Sequence, residues 1–177
     1  MERYCLTHSS VGTDEEMILK ILKSGYLYAG FYTKNYRLFG RPEAKYVYFT
    51  LYDPNNPHKF GYNFFISDRI LYHRSFRHSL GWHSEDSDVN TKVKYPKDNI
   101  KKILAEITSH IINLVGSARA WMGHEILIKK KVNLHKYLVG ISSCCGFSNE
   151  FREYVNFYYP ATKLFDEYPN NMTEIYN

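Results

Sequence analysis

The stretch MGHEILIKKKVNLHKYLVGI, from Met122 to Ile141, decides the fold class of this chain. Its segment HEILIKKKV is a largely apolar run that predicts a strand, and KYLVGIS predicts another shortly after it. The first strand starts with a carboxylate, Glu125, and ends in three lysines. This carboxylate is either a solvated residue paired with a lysine or a functional group, because the apolar residues that follow it occupy both faces of the strand.

Helices are predicted on both sides of this stretch. TDEEMILKILKSG opens with a capping box, Thr13 with Glu16, and has Gly25 just after its last helical residue. PKDNIKKILAEITSHIINLVG carries apolar residues at helical spacing from Ile100 to Val115 and is expected to be the main helix. SNEFREYVNFYY predicts a short third helix, whereas the tail from Pro160 could pack or fray.

Strands are predicted over much of the remaining chain. Residues Tyr4–His8, Lys45–Tyr52 and Tyr62–Ser67 are rich in β-branched and aromatic side chains, and RILYH, residues 69–73, is a further candidate. From Arg74 to Lys94, polar residues with little periodicity predict a long surface loop. We therefore expect a single α+β domain over residues 1–177, with a mostly antiparallel sheet and flanking helices.

The composition is that of a globular protein with an excess of aromatic residues. Hydrophobic residues make up 44% and charged residues 23% of the chain, which argues against wholesale disorder. The 17 Tyr and 11 Phe residues suit a ligand cleft, but they fit an AT-rich coding sequence equally well. The net charge of +5 would attract phosphate-bearing partners, yet it is too small to identify a nucleic-acid binder.

We expect the protein to be intracellular and cytoplasmic. The beginning, MERYCLTHSS, lacks the basic and apolar regions of a signal peptide, and no apolar run is long enough to span a membrane. The three cysteines fit a reducing compartment, because neighbouring Cys144 and Cys145 are poorly placed for an ordinary disulfide. Their expected role is packing, and their spacing does not suit zinc, so no metal site is expected.

Three segments, in this order along the chain, resemble one known family. In LTHSSVGTDEEMILKILKSGYL a strand delivers His8 to the start of a helix, in YVYFTLYDPNNPHKFGYNFFI an aromatic strand and turn lead to Tyr62, and the stretch quoted first supplies Glu125. This order resembles the His-Tyr-Glu arrangement of the poly(ADP-ribose) polymerase-like branch of the ADP-ribosyltransferases. ILKSGYL, YVYFT and EILIKKKVNLHKYLVGI are also similar to parts of the DNA-modifying ADP-ribosyltransferase toxins.

The resemblance implies an NAD-binding fold and functions for particular residues. The sheet would be split around an NAD cleft, where Glu125 would hydrogen-bond the ribose and stabilise the developing positive charge. His8 would hold the ribose on the adenosine side, and Ser9 would bind the nicotinamide amide. Tyr62 would stack on the nicotinamide ring, with Tyr52 as a competing candidate. The residues expected to bind NAD are His8, Ser9, Tyr48, Tyr52 and Tyr62.

The implied reaction needs only one carboxylate. Cleaving the bond between nicotinamide and ribose passes through an oxocarbenium-like state, as in glycoside hydrolysis, where two carboxylates act. Because nicotinamide leaves as a neutral molecule, no acid is needed, and stabilisation by Glu125 would contribute roughly 3–4 kcal/mol. The expected activity is NAD-dependent mono-ADP-ribosyl transfer to a protein or nucleic-acid acceptor, with NAD hydrolysis also open. Arg69 is the candidate for the arginine that the toxins use, and the segment Arg74–Lys94 is the candidate for target recognition.

Other interpretations compete with this one. His8 at a strand end could be a hydrogen-bonded structural residue, and Tyr62, among phenylalanines, could belong to the core. HSS at residues 8–10, with HRS at residues 73–75, fits the two-histidine phosphodiesterases, which use their histidines as acid and base. A non-enzymatic surface for nucleic acid would combine basic with aromatic side chains. Its candidate residues are Arg69, Arg74, Arg77, His78 and Lys129–Lys131, with Tyr72, Phe76 and Trp82.

Overall fold

The structure, a computed structural model, describes residues 4–9, 14–33, 45–55, 61–79, 91–93, 98–114 and 124–177. The chain divides into two compact units, each assembled from separate stretches. Unit 1 comprises Met1–Leu27, Tyr52–Ser67 and Val132–Asn177, and unit 2 comprises Tyr28–Leu51 and Asp68–Lys131.

Ten strands and five α-helices are described. The strands are β1 (Cys5–Ser9), β2 (Tyr26–Tyr28), β3 (Tyr46–Leu51), β4 (Tyr62–Ser67), β5 (Phe76–Ser79), β6 (Thr91–Val93), β7 (Glu125–Lys129), β8 (Lys131–Asn133), β9 (Leu138–Ser143) and β10 (Lys163–Phe165). The helices are α1 (Glu15–Ser24), α2 (Asp98–Leu114), α3 (Leu134–Tyr137), α4 (Asn149–Tyr158) and α5 (Met172–Tyr176).

Unit 1 contains a sheet in which the strands lie in the order β10, β9, β4, β1. The β1–β4 and β4–β9 pairs are antiparallel, and β9–β10 is parallel. Every residue of β4 is buried. One face packs in a cluster of Cys5, Tyr52, Phe65 and Ile175, and because neighbouring residues of a strand point to opposite faces, Phe64 lies on the other face. The sheet of unit 1 therefore has a covered interior strand.

Unit 2 contains an antiparallel sheet in the order β3, β7, β5, β6. Its strand β7 lies between β3 and β5, and Ile126, Leu127 and Ile128 are all 0% exposed. Helix α2 supplies apolar residues to the core of this unit, where Ile100, Leu104 and Ile107 are at most 1% exposed. The strand that begins with Glu125 is thus buried on both faces for most of its length.

The α+β class with mostly antiparallel strands and flanking helices is confirmed. The helix predicted from the capping box is present, but its N-cap is Asp14, whose side chain accepts from the Glu16 N–H at 3.0 Å; Thr13 lies outside the described residues. Gly25 ends this helix with a φ of +72°, a conformation that favours glycine. That residues 1–177 form one ADP-ribosyltransferase-like domain stays a prediction.

Two local expectations for unit 2 were wrong. Asp68–Tyr72 forms a 3-10 helix and not a strand, and the His73 N–H donates to the Ile70 carbonyl three residues before it at 3.1 Å, as in a 3-10 turn. The segment Arg74–Lys94, predicted as a loop, contains β5 and β6. The strand pattern of β5 was not recognised because His78, a polar residue that was assumed to be exposed, is buried together with Phe76.

In unit 1, the structure decides between the two states left open for the tail, and it contradicts the packing role for two of the three cysteines. The tail packs, with β10 beside β9 and Ile175 of α5 in the core. Cys5 is buried, but Cys144 and Cys145 are exposed and so do not have the packing role expected of them, and their sulfur atoms lie 3.4 Å apart as free thiols.

Candidate functional site

His8 and Tyr62 lie on the same face of the unit 1 sheet. His8 is opposite Phe64 in the β1–β4 pair, and Tyr62 is two residues before Phe64, so the two side chains are diagonal neighbours. His8 is half-buried. Ser9, the next residue, therefore points to the opposite face.

Tyr62 is a core residue in this structure, one of the two interpretations that the sequence left open. Only 2% of its surface is exposed, and its ring centroid lies 5.9 Å from that of Phe147 and 6.1 Å from that of Phe151. Its hydroxyl donates to Oε2 of Glu15 at 3.3 Å. Burial, with the nearby Glu15 charge, raises the pKa of Tyr62 to about 12, so the phenol is neutral. Stacking of Tyr62 on nicotinamide stays a prediction, which this burial does not favour.

Ser9 begins a row of hydrogen-bonded polar side chains across three strands. Its hydroxyl donates to Oδ1 of Asn63 at 2.7 Å, and Nδ2 of Asn63 donates to the Ser142 hydroxyl at 3.1 Å. Asn63 and Ser142 line a cavity of about 480 Å³, a size that suits a small molecule. Sequence reasoning missed this cavity, although an asparagine in the apolar strand YNFFIS was a signal. The other lining residues are Pro54, Ser143, Cys144, Asp166, Glu167, Tyr168, Pro169 and Asn170.

Tyr52, the competing candidate for stacking, is also in the core of unit 1. Its ring stacks on Tyr168 with 5.5 Å between centroids, and its hydroxyl donates to the Pro169 carbonyl at 2.5 Å. Burial raises its pKa above the ordinary tyrosine value. Tyr52 is 9% exposed and packs against Tyr168 and Pro169 of the tail. Its contact with NAD stays a prediction.

In unit 2, the structure brings Glu125 and Tyr48 onto one face of the sheet. Glu125 is the first residue of β7 and pairs with Ser79 of β5, while Tyr48 of β3 is opposite Leu127, two residues further along β7. Both side chains are half-buried, and Oε2 of Glu125 is buried. The carboxylate singled out from the sequence thus heads an interior strand.

His124, which sequence reasoning did not select, precedes Glu125 and is 6% exposed. Its Nε2 accepts a hydrogen bond from the Leu51 N–H at 2.7 Å. Burial, and secondarily the neighbouring His110 of α2, lower the pKa of His124 to about 4, so the ring is neutral near pH 7. The sequence carried a weak signal, since His124 continues the every-second-residue spacing of the apolar residues Ile126 and Ile128.

The residues of the two rival functions are placed as follows. His73 is exposed, after the 3-10 helix of unit 2, and Ser10 lies outside the described residues, so the phosphodiesterase pair of His8 and His73 stays a prediction. In the basic and aromatic surface, Phe76 and His78 are buried. Arg74 donates from its guanidinium to the backbone carbonyls of Lys129 and Lys131, at 2.9 and 3.2 Å.

The other basic members of this set lie at the surface of unit 2, where Lys129 and Lys130 are exposed and Lys131 is half-buried. Arg77 lies over the Tyr46 ring, 5.2 Å from its centroid, and is half-buried, while Arg69 is exposed. Trp82 lies outside the described residues. Only part of the basic and aromatic set is therefore available to a nucleic acid, and the assignment of Arg69 to the toxins' arginine stays a prediction.

His8 and Tyr62 belong to unit 1 and Glu125 to unit 2, and their convergence on one groove stays a prediction. Within the described ranges, no group of three or more His, Cys, Asp and Glu side chains is arranged to hold a metal ion. None of the helices in the part of the chain that the structure covers is long and apolar enough to cross a membrane.

The fold is similar to that of DarT proteins. Thermus sp. 2.9 DarT in complex with carba-NAD+ matches 98% of this chain and 97% of that chain, with a TM-score of 0.58 and 13% identity. The same protein matches in complexes with NAD+ and with ADP-ribosylated ssDNA, at TM-scores of 0.56 and 0.55 and 12% identity. Thermosipho africanus DarTG in complex with ADP-ribose matches 93% of this chain with a TM-score of 0.54 and 12% identity, and this chain spans 50% of that one. At such low identity the likeness establishes the fold.

The sequence itself has relatives among viral proteins. "Uncharacterized protein L54" of Acanthamoeba polyphaga mimivirus is 39% identical over 177 residues, which is 99% of this chain and 97% of that protein. Residues 1–107 match the model of DUF5846, described as a family of unknown function. The chain belongs to this family.

Proposed function

We propose that this protein is an NAD-dependent mono-ADP-ribosyltransferase that modifies single-stranded nucleic acid, with Glu125 as its catalytic carboxylate. The observation that carries the proposal is the fold, which matches DarT over 98% of the chain. Since those DarT structures are complexes with NAD+ and carba-NAD+, they support NAD as the substrate here.

The surroundings of Glu125 support its proposed function. A carboxylate that stabilises an oxocarbenium-like ribose must be ionised and held in place, because electrostatic stabilisation depends on groups already oriented before the reaction. Glu125 starts a strand whose next three residues are fully buried, and Glu125 itself pairs with Ser79 of the neighbouring strand β5. His8 and Ser9 are the proposed NAD-binding residues of unit 1, and Tyr48 is the proposed one in unit 2.

A nucleic-acid acceptor is favoured over a protein acceptor. One DarT structure with this fold is a complex with ADP-ribosylated ssDNA. The net charge of +5 is of the sign that attracts a phosphate backbone. Arg69 and Arg77 are basic side chains of unit 2 that could contact such an acceptor.

The test is transfer of label from NAD carrying the label on its adenosine side. The full chain is incubated with labelled NAD and single-stranded DNA, single-stranded RNA, duplex DNA or a cell extract, and nicotinamide release and labelled products are both followed. We expect labelled single-stranded oligonucleotide. Glu125→Gln should lower the rate about 100- to 1000-fold, the usual cost of removing one transition-state-stabilising group.

Glu106→Gln is the matched control, since Glu106 is an exposed glutamate of unit 2 on α2. It should leave transfer unchanged. If label appears only on extract proteins, the acceptor is a protein and not a nucleic acid. Nicotinamide release without labelled product would indicate NAD hydrolysis. Undiminished turnover by Glu125→Gln would exclude this residue as the catalytic carboxylate.

A further inference from the structure

The pairing between β3 and β7 ends just before Glu125. Its last pair is Phe49 opposite Ile126, and continuing the same register places Leu51 opposite His124. At that position the Leu51 N–H donates to Nε2 of His124 at 2.7 Å. A side-chain nitrogen therefore takes the place of a backbone acceptor, one residue before the proposed catalytic carboxylate.

The ring of His124 is held as a neutral acceptor. An Nε2 atom that accepts a hydrogen bond carries no proton, so the proton of the neutral ring is on Nδ1. The residue is 6% exposed, and burial with the nearby His110 lowers its pKa to about 4. Protonation of Nε2 would set two donors against each other, and the low pKa keeps the ring from protonating near neutral pH.

On its other edge, β7 pairs with β5 one residue further along, where Ser79 is opposite Glu125. The start of β7 is thus held by a backbone pair on the β5 side and by the His124 ring on the β3 side. We infer that His124 is a positioning residue for Glu125. Its bond to the Leu51 N–H fixes the backbone at the start of β7, next to Glu125. This inference rests on the proposed function of Glu125.

Three substitutions of His124 test whether its hydrogen-bond acceptor or only its volume is needed. Gln has an amide oxygen that can replace Nε2, Asn has the same group on a shorter side chain, and Leu fills the space without an acceptor. We expect His124→Leu and His124→Asn to lower kcat about 10- to 100-fold with little change in the KM for NAD, since small misplacements of a reacting group have costs of this size. His124→Gln should retain kcat within a few-fold.

Ile128→Ala is the control for loss of stability. Ile128 is fully buried in the same strand and is not part of the Leu51 contact. This variant should be less stable but keep kcat at a temperature where it is folded. Hydrogen exchange adds a readout without activity, because the Leu51 amide should exchange faster in His124→Leu than in Ile128→Ala.

A double-variant experiment decides whether His124 acts through Glu125. In the Glu125→Gln background, His124→Leu should cause no further loss of nicotinamide release, since coupled residues are non-additive. If the losses caused by the two substitutions multiply in the double variant, the positioning inference is overturned. It is also overturned if Glu125→Gln abolishes activity while His124→Leu keeps full kcat. If His124→Leu does not fold, equal kcat in the Gln and Asn variants would overturn it. Full activity of Glu125→Gln would instead refute the proposed function.

Discussion

Two neighbouring tyrosines at the end of α4 have opposite surroundings. Tyr159 is 4% exposed, its ring stacks on His135 with 4.4 Å between centroids, and its hydroxyl donates to the Leu22 carbonyl at 2.5 Å. Tyr158 is 53% exposed. The buried hydroxyl ties the end of α4 to the end of α1 within unit 1.

Tyr159→Phe should therefore lower the free energy of unfolding by about 0.5–1.5 kcal/mol, the net contribution of one hydrogen bond. The loss stays in this range because the Leu22 carbonyl keeps its second donor, the Gly25 N–H. Urea denaturation measures it, with Tyr158→Phe as the control that should change stability little. Equal effects of the two substitutions would show that the Tyr159 hydrogen bond contributes nothing.

At this scale, the sequence allowed part of the site to be predicted. The position of Glu125 at a strand start followed from the apolar run after it. The buried state of Tyr62 did not follow, because an aromatic residue beside phenylalanines fits a cleft and a core equally well. For His124 the sequence carried only its spacing from Ile126, and its acceptor function did not follow because it depends on Leu51, 73 residues away in sequence.

The start of α4 is joined to the start of α1 through Glu15. Ser148 is the N-cap of α4, where its hydroxyl accepts from the Phe151 N–H at 3.1 Å. The carboxylate of Glu15 accepts from the backbone N–H of Ser148 at 3.0 Å and from its hydroxyl. A negative charge at a helix N-terminus is favourable, and here one carboxylate lies at two of them.

Ser148→Ala should lower the free energy of unfolding by about 1–2 kcal/mol, because it removes the cap and one donor to Glu15. Thermal and urea denaturation check this value. Asn149→Ala is the neighbouring exposed control and should have a much smaller effect. A double-variant cycle with Glu15→Gln should show coupling, and strict additivity would contradict the shared network.

Helices and strands were predicted correctly where the apolar residues followed one clear pattern. The helices α1 and α2 have apolar residues at helical spacing, and β3 and β4 have β-branched and aromatic runs, so both kinds were predicted. The strand β5 was missed because its inward residues, Phe76 and His78, include a histidine whose burial only tertiary packing determines. The short run RILYH became a 3-10 helix, in which the His73 N–H donates to the Ile70 carbonyl; a run of five residues was too short for its spacing to distinguish a helix from a strand.

At the scale of the whole molecule, buried histidines limit stability in acid. The pKa of His124 is about 4 in the folded chain, against an ordinary value of 6.5, because burial disfavours the charged ring. The unfolded chain therefore binds a proton first, so this stability is fully present above about pH 6.5 and is lost as pH falls towards 4. Burial lowers the pKa of His78 too, which acts in the same direction.

We expect the free energy of unfolding to fall by about 3 kcal/mol between pH 7 and pH 4 through His124 alone, at about 1.4 kcal/mol per pKa unit. Urea denaturation at several pH values measures this slope. His124→Gln removes the titrating group and should flatten the slope over that range. An unchanged slope in the variant would mean that other groups govern the acid limit.

The interleaved order of the two units also bears on fragments. The family match covers residues 1–107, which contain β1 to β6 and the first part of α2 but none of the strands after α2. A truncated chain of that length would leave β4 without β9, and β3 and β5 without β7. Such bare strand edges can recruit other chains, so we expect residues 1–107 expressed by themselves to aggregate more readily than the full chain.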